Sequence, residues 1–132
     1  MFLQKITIVT RKLTLCLLLS VIGMQPVMAW QPASGSLAIN KDDFRQFGIV
    51  YDQVNFFISG KGALYTCGQG CEVVLDFDDC AVYVTDSKFR VATWAEALTA
   101  NAAASRALSS CAAKGGKNCE VQVYACNSLE QY

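Results

Sequence analysis

The sequence predicts an α+β domain. Two β-β-α-β units, pseudo-repeats of one another, should form one mostly antiparallel sheet with two helices on one face. Three observations predict this. First, a helix, a cysteine, a Gly-Gly break, a second cysteine, a short strand and a third cysteine follow one another between Thr99 and Cys126, and a similar order runs from Asn55 to Cys80. Second, short apolar runs of strand length precede both helices. Third, the two copies stand about 44 residues apart. Two copies are too few for a stable solenoid, so they should close on each other.

Residues 1–29 read as an export signal. Lys5, Arg11 and Lys12 make a basic start, Leu13 to Ile22 an apolar run, and Pro26-Val27-Met28-Ala29 a cleavage site after Ala29. The apolar run falls short of the ~20 residues that a bilayer span needs. No membrane span is therefore expected after cleavage, and the protein should be periplasmic or secreted. Removing the signal leaves eight basic residues against eleven acidic ones, a net charge of −3. That balance argues against nucleic acid or anionic lipid as partners, since phosphate backbones need a basic face. Cys16 leaves with the signal, and six cysteines remain. An even number in a short exported chain reads as three disulfides.

Residues 30–35 form a polar leader, and residues 36–127 a single disulfide-stapled domain. Ser36 to Ile39 is a strand, Asn40 to Asp43 a turn, and Phe47 to Tyr51 a second strand. Asn55 is placed to cap a helix whose inward face is Phe56, Gly60, Ala63, Leu64 and Cys67. Gly60 and Gly62 weaken that helix by ~1 kcal/mol each relative to alanine. Glu72 to Phe77 is a strand with Val73, Leu75 and Phe77 on one face. The second pass starts at Ala81, with strands Ala81 to Val84 and Val91 to Glu96. Thr99 caps a better helix, whose inward face is Ala100, Ala104, Ala107, Leu108 and Cys111. Gly115-Gly116 stops it, and Glu120 to Ala125 is the last strand. The chain is expected to fray from Asn127, residues 128–132 forming the tail.

Geometry trims the disulfide connectivities. Cys71 and Cys80 flank one strand, and Cys119 and Cys126 another, so each pair is on the order of 20–30 Å apart if the strands are extended. A disulfide needs Cα atoms within about 7 Å. The repeat then suggests Cys67–Cys71 and Cys111–Cys119, each tying a helix end to the next strand. Cys80–Cys126 would join the two halves across the pseudo-symmetry axis.

The chain resembles the bacterial family catalogued as domain of unknown function 4189. The resemblance rests on Ala107-Leu108-Ser109-Ser110-Cys111, Gly115-Gly116-Lys117-Asn118-Cys119 and Cys126-Asn127. In the first half it rests on Ser36-Leu37-Ala38-Ile39, Ala63 to Gly68, Cys71 and Phe77-Asp78-Asp79-Cys80-Ala81. It covers about residues 35–127 and implies a small, exported, disulfide-bearing domain. No catalytic residue comes with it. The chain departs from the family pattern where Phe56 to Gly62 replaces an alanine-rich stretch.

The chain has no histidine. Ser-His and Cys-His nucleophilic pairs and histidine metal sites are therefore impossible. With all six cysteines paired, thiol chemistry goes too, so no enzyme, cofactor or metal site is expected. Asp76, Asp78 and Asp79 lack the glycine and distant glutamate of a calcium loop. The carboxylate pairs Glu72/Asp76 and Asp52/Glu96 carry the competing reading, a cell-wall hydrolase. The favoured expectation is a non-catalytic protein-binding domain, such as an inhibitor or immunity-type protein for a cell-envelope hydrolase. Its candidate contact residues are Phe57, Asp76, Asp78, Asp79 and Trp94. A structural or adhesive surface protein is the third reading.

Overall fold

A computed structural model describes residues 33–128. The expected signal at 1–29, leader residues 30–32 and tail residues 129–132 lie outside the described residues. The described chain runs β1 (Ser34–Asn40), β2 (Asp43–Gln53), α1 (Phe56–Cys67), β3 (Glu72–Phe77), β4 (Cys80–Thr85), β5 (Ala92–Ala97), α2 (Ala100–Ala113) and β6 (Glu120–Cys126). Asn55 and Thr99 are the N-caps, their side chains accepting from the amides of Ile58 and Ala102. Among the described residues no helix is long and apolar enough to cross a membrane.

The fold is α+β and every strand pairing is antiparallel. The strands do not share one sheet. They form two three-stranded sheets, ordered β2-β1-β3 and β5-β4-β6. Nor do the helices share a face. Between the sheets lie Leu37, Ile39, Tyr83, Phe77 and Ala81, with Phe47, Ile49, Leu75, Trp94 and Val123 against them. Ala38, Ala63 and Cys67 pack together on the other side of the first sheet, under α1. Val82, Val84, Ala103, Ala107 and Cys111 do the same for the second sheet, under α2. The layers are thus helix, sheet, sheet, helix. The physical reason is visible in the central strands. In β1 the residues Ser34 to Ile39 are all buried, and in β4 all six are, so both faces of each must be covered.

The buried faces of the helices are narrower than the sequence reading had them. On α1 they are Ser59, Gly60, Ala63 and Cys67, leaving Phe56 and Leu64 exposed. On α2 they are Ala103, Ala107 and Cys111, and Ala104 and Leu108 lie at the margin. Each helix sits close to its sheet, by different means. A Cβ on Gly48 would stand 2.5 Å from the Ala63 carbonyl oxygen and from the Cys67 nitrogen. In the other half Thr93, buried, donates its hydroxyl to the Ala107 carbonyl at 2.7 Å.

Val73, Leu75 and Phe77 do not share a face either. The register against β1 slips between Leu37 and Ala38, which pair with Leu75 and Val73. Val74 is the extra residue of that bulge, and it inverts the alternation. Val73 therefore packs under α1, whereas Val74 and Leu75 pack between the sheets. The register of β6 against β4 slips between Tyr83 and Val84, with Gln122 the extra residue.

The six cysteines pair as Cys67–Cys71, Cys80–Cys126 and Cys111–Cys119. The Cys80–Cys126 bond does not bridge the halves. Both residues lie directly opposite each other on neighbouring strands of the second sheet, because Cys80 opens β4 and does not end the first unit.

Both ends of the described residues are tied down, including Asn127, where fraying was expected. Ala33 and Ser34 are buried. Asn127 is buried as well, and its side chain donates to the carbonyls of Phe77 and Asp78 and accepts from the Asp52 amide. Asp52 sits at φ 56°, a conformation aspartate tolerates, and its carboxylate accepts from the amide and hydroxyl of Ser128.

Candidate functional site

The stripe Ser59, Ala63, Cys67 faces the sheet, so Phe57, Lys61 and Tyr65 face outward, one helical turn apart. Phe57 is 69% exposed and Tyr65 91%. Val54, Phe56, Ile58 and Leu64 flank them, also exposed, and Tyr51 precedes them on β2. Among the described residues, seven of the ten exposed large hydrophobic side chains therefore fall between Tyr51 and Tyr65. Soluble domains seldom leave so much apolar surface together unless something covers it. The Lys61 ammonium lies 4.4 Å above the Phe57 ring, the one charge on this helix.

Beneath α1 a polar chain crosses the first sheet. Ser36 donates to Asp76 at 2.6 Å, and its oxygen stands 2.6 Å from that of Ser59. A hydroxyl has one proton, so the Ser36 oxygen accepts from Ser59. Both serines are fully buried, and Asp76 is exposed. This spends the Asp76 carboxylate on holding α1 against β1. Both hydroxyls are fully buried, out of reach of a substrate, so with Asp76 they make a structural seam.

Of the other candidate carboxylates, Asp78, Asp79 and Glu96 come together at one end of β4. Asn127 ties the Asp52 amide to the Asp78 carbonyl, and Glu72 stands at the far end of β3. Asp78 and Asp79 form the β3–β4 turn, close enough to Glu96 on β5 for their charges to act on it. Desolvation first, then those two charges, push the Glu96 carboxyl above its ordinary range, against a lowering bond from the Asp78 amide. Glu72 pairs with Lys41 at 2.6 Å. Asp52 is engaged with Ser128. Among the described residues no group of three or more cysteine, aspartate or glutamate side chains could hold a metal ion. Trp94 is half-buried against the core between the sheets, whereas Phe57 stands on the open face.

The sequence offers Tyr65 only as one of several aromatics for a partner surface, behind Phe57 and Trp94, and Val54 and Ile58 went unremarked. The signal for them was present. Once Ala63 and Cys67 are fixed inward by the disulfide and by Gly48, helical spacing puts Tyr65 outside.

The sequence matches the family described as Domain of unknown function (DUF4189) over residues 33–126. No curated protein matches it, and no solved structure does.

Proposed function

We propose, from the premise that the chain belongs to the DUF4189 family, that it is an exported, non-catalytic domain that binds another protein through the outer face of α1. The observation that carries this reading is the exposed apolar cluster Tyr51, Val54, Phe56, Phe57, Ile58, Leu64 and Tyr65. Aromatic side chains of this kind anchor protein interfaces. A second copy is the weaker occupant. Two antiparallel α1 helices crossing at the middle of the stripe would set Lys61 against Lys61. A partner with a carboxylate among apolar groups would meet that cation instead.

Export by cleavage after Ala29 belongs to the same reading. The three disulfides accord with an oxidising compartment outside the cytoplasm. The two halves share the element order β-β-α-β and place the first strand centrally in each sheet. We read them as copies of one unit, and α1 as the copy specialised for contact. An envelope hydrolase, inhibited on docking, is the concrete partner.

The test is site-specific photo-crosslinking in the native exporting cell. A photoreactive residue in place of Phe57 or Tyr65 should give one discrete protein adduct. The same group in place of Ser105, exposed on α2, should give none. Equal adducts from all three positions, or none from either α1 position, would overturn the reading.

A further inference from the structure

The net charge of the mature chain conceals a strong segregation. Lys88 and Arg90 lie in the β4–β5 loop, and Lys114 and Lys117 in the α2–β6 loop; all four are exposed. These are half of the eight basic residues past the signal. The two loops touch, since Ser87 donates its amide at 3.3 Å and its hydroxyl at 3.4 Å to the Lys117 carbonyl. Both loops are held from within. The Cys111–Cys119 disulfide closes one, and the Asp86 side chain accepts from the amides of Arg90 and Val91 in the other. The amides of Val91 and Arg90 hold the Asp86 carboxyl below its ordinary range, so its charge is directed into the turn. Glu120, at the start of β6, is the other carboxylate on these elements at this end.

The other four basic residues past the signal are all engaged: Lys41 and Arg45 pair with carboxylates, Lys61 lies over the Phe57 ring, and Arg106 donates to the Glu96 carbonyl. Among the described residues no carboxylate lies within salt-bridge reach of Lys88, Arg90, Lys114 or Lys117. Asp78, Asp79 and Glu96 gather at the opposite end of β4, roughly 20 Å away by strand rise. One end of the second sheet is thus cationic and the other anionic.

We infer that the touching β4–β5 and α2–β6 loops form a binding surface for a soluble, linear, phosphate-bearing polyanion. Four unpaired cations on two loops exceed what one small anion touches, and none is buried in a pocket, so the ligand is extended. Three of the four are lysines. Lysine binds phosphate as a point charge and demands no fixed geometry, so cations spread over two loops can follow the closely spaced charges of an extended phosphate chain. This surface lies apart from α1 and does not depend on the reading given to that helix.

The test uses the protein purified from the exporting host and long-chain inorganic polyphosphate, titrated by calorimetry between 25 and 200 mM salt, roughly the range over which such binding weakens steeply. The triple variant K88Q/K114Q/K117Q should lose about tenfold or more in affinity at low salt, and its salt slope should fall by about 2. The double variant K41Q/R45Q should bind as the native protein does. Thermal melts of each variant verify folding. Absence of binding by the native protein at low salt would overturn the inference, as would equal losses in the triple and double variants. Tighter binding of poly-glutamate would overturn the phosphate assignment. Binding to phosphatidylglycerol vesicles without binding to polyphosphate would reassign the surface to a membrane and overturn it as stated.

Discussion

Asn127 does more for the fold than its place after the last strand suggests. Its side chain makes three hydrogen bonds, to Phe77, Asp78 and Asp52. Replacing it by alanine leaves three backbone groups without that partner. Buried polar groups left unpaired cost about 1–3 kcal/mol, so N127A should lower the unfolding free energy by about that much in urea titration. N127D should do at least as badly, because a carboxylate would face two carbonyls. Glu96 gives a pH effect of known sign. Its carboxyl lies above the ordinary 4.5 in the folded protein, so the native state binds the proton more tightly than the unfolded chain. Its contribution therefore favours folding at low pH and declines as pH rises from about 4.5 through the raised value. E96Q should flatten that part of the stability profile and stabilise the protein at pH 7 relative to pH 4; an unchanged profile would refute the assignment. At this scale the sequence was readable where a residue acts on its own neighbours. Asn55 and Thr99 announce caps by type and position. Asn127 acts on residues about 50–75 positions away, and nothing local marks it.

The helices and strands were readable because periodicity is a local property, but their faces were not. Alternation along β3 implies that Val73 and Leu75 point the same way, and a single bulge at Val74 reverses that. The helix faces were misjudged toward large residues. Leu64 and Phe56 look like core, yet α1 lies so near Gly48 that only Ser59, Gly60, Ala63 and Cys67 fit beneath it. Gly48 was the available clue, a glycine inside a strand marking close backbone approach. G48A should push α1 outward and cost about 1–3 kcal/mol, lowering Tm by several degrees in a calorimetric scan. Thr93 is the counterpart contact under α2. T93V keeps the shape and removes one hydrogen bond to a helix carbonyl, so a loss of about 1 kcal/mol is expected. On α2 the two central alanines should differ. Ala107 is fully buried and Ala104 is at the margin, so A107L should destabilise clearly and A104L much less. Equal losses at the two positions would mean that the helix is rotated from the orientation described.

Whether six strands make one sheet or two is decided by the middle strands. Ala81-Val82-Tyr83-Val84 and Leu37-Ala38-Ile39 are continuous apolar runs, the mark of strands covered on both faces. That pattern was present in the sequence, but a one-face sheet with helices on a single side had no use for it. Small residues on the helix side and large ones between the sheets complete the signal: Ala38 against α1, Leu37 and Ile39 against Tyr83. The same arrangement fixes what the disulfides do. Cys67–Cys71 and Cys111–Cys119 close short loops, with separations of 4 and 8 residues. Cys80–Cys126 spans 46 residues and encloses β5 and α2, so it constrains the unfolded chain across the whole second half. Loop-entropy scaling gives about 2, 2.5 and 4 kcal/mol for the three bonds in that order. A domain of this size has about 5–15 kcal/mol in total. The double variant C80A/C126A should therefore be the least stable of the three cystine deletions, and C67A/C71A the most stable, by guanidinium titration. Because the short bonds secure a helix end to the following strand within a single half, their loss should leave the transition two-state. Removal of Cys80–Cys126 frees β4 from β6 at one end of the second sheet. Amide exchange should then speed up in β6 and the Asn127 clip before it does in the first sheet. If exchange instead rises uniformly across both sheets, the halves unfold as one unit, and the long disulfide stabilises the whole molecule and not its second half.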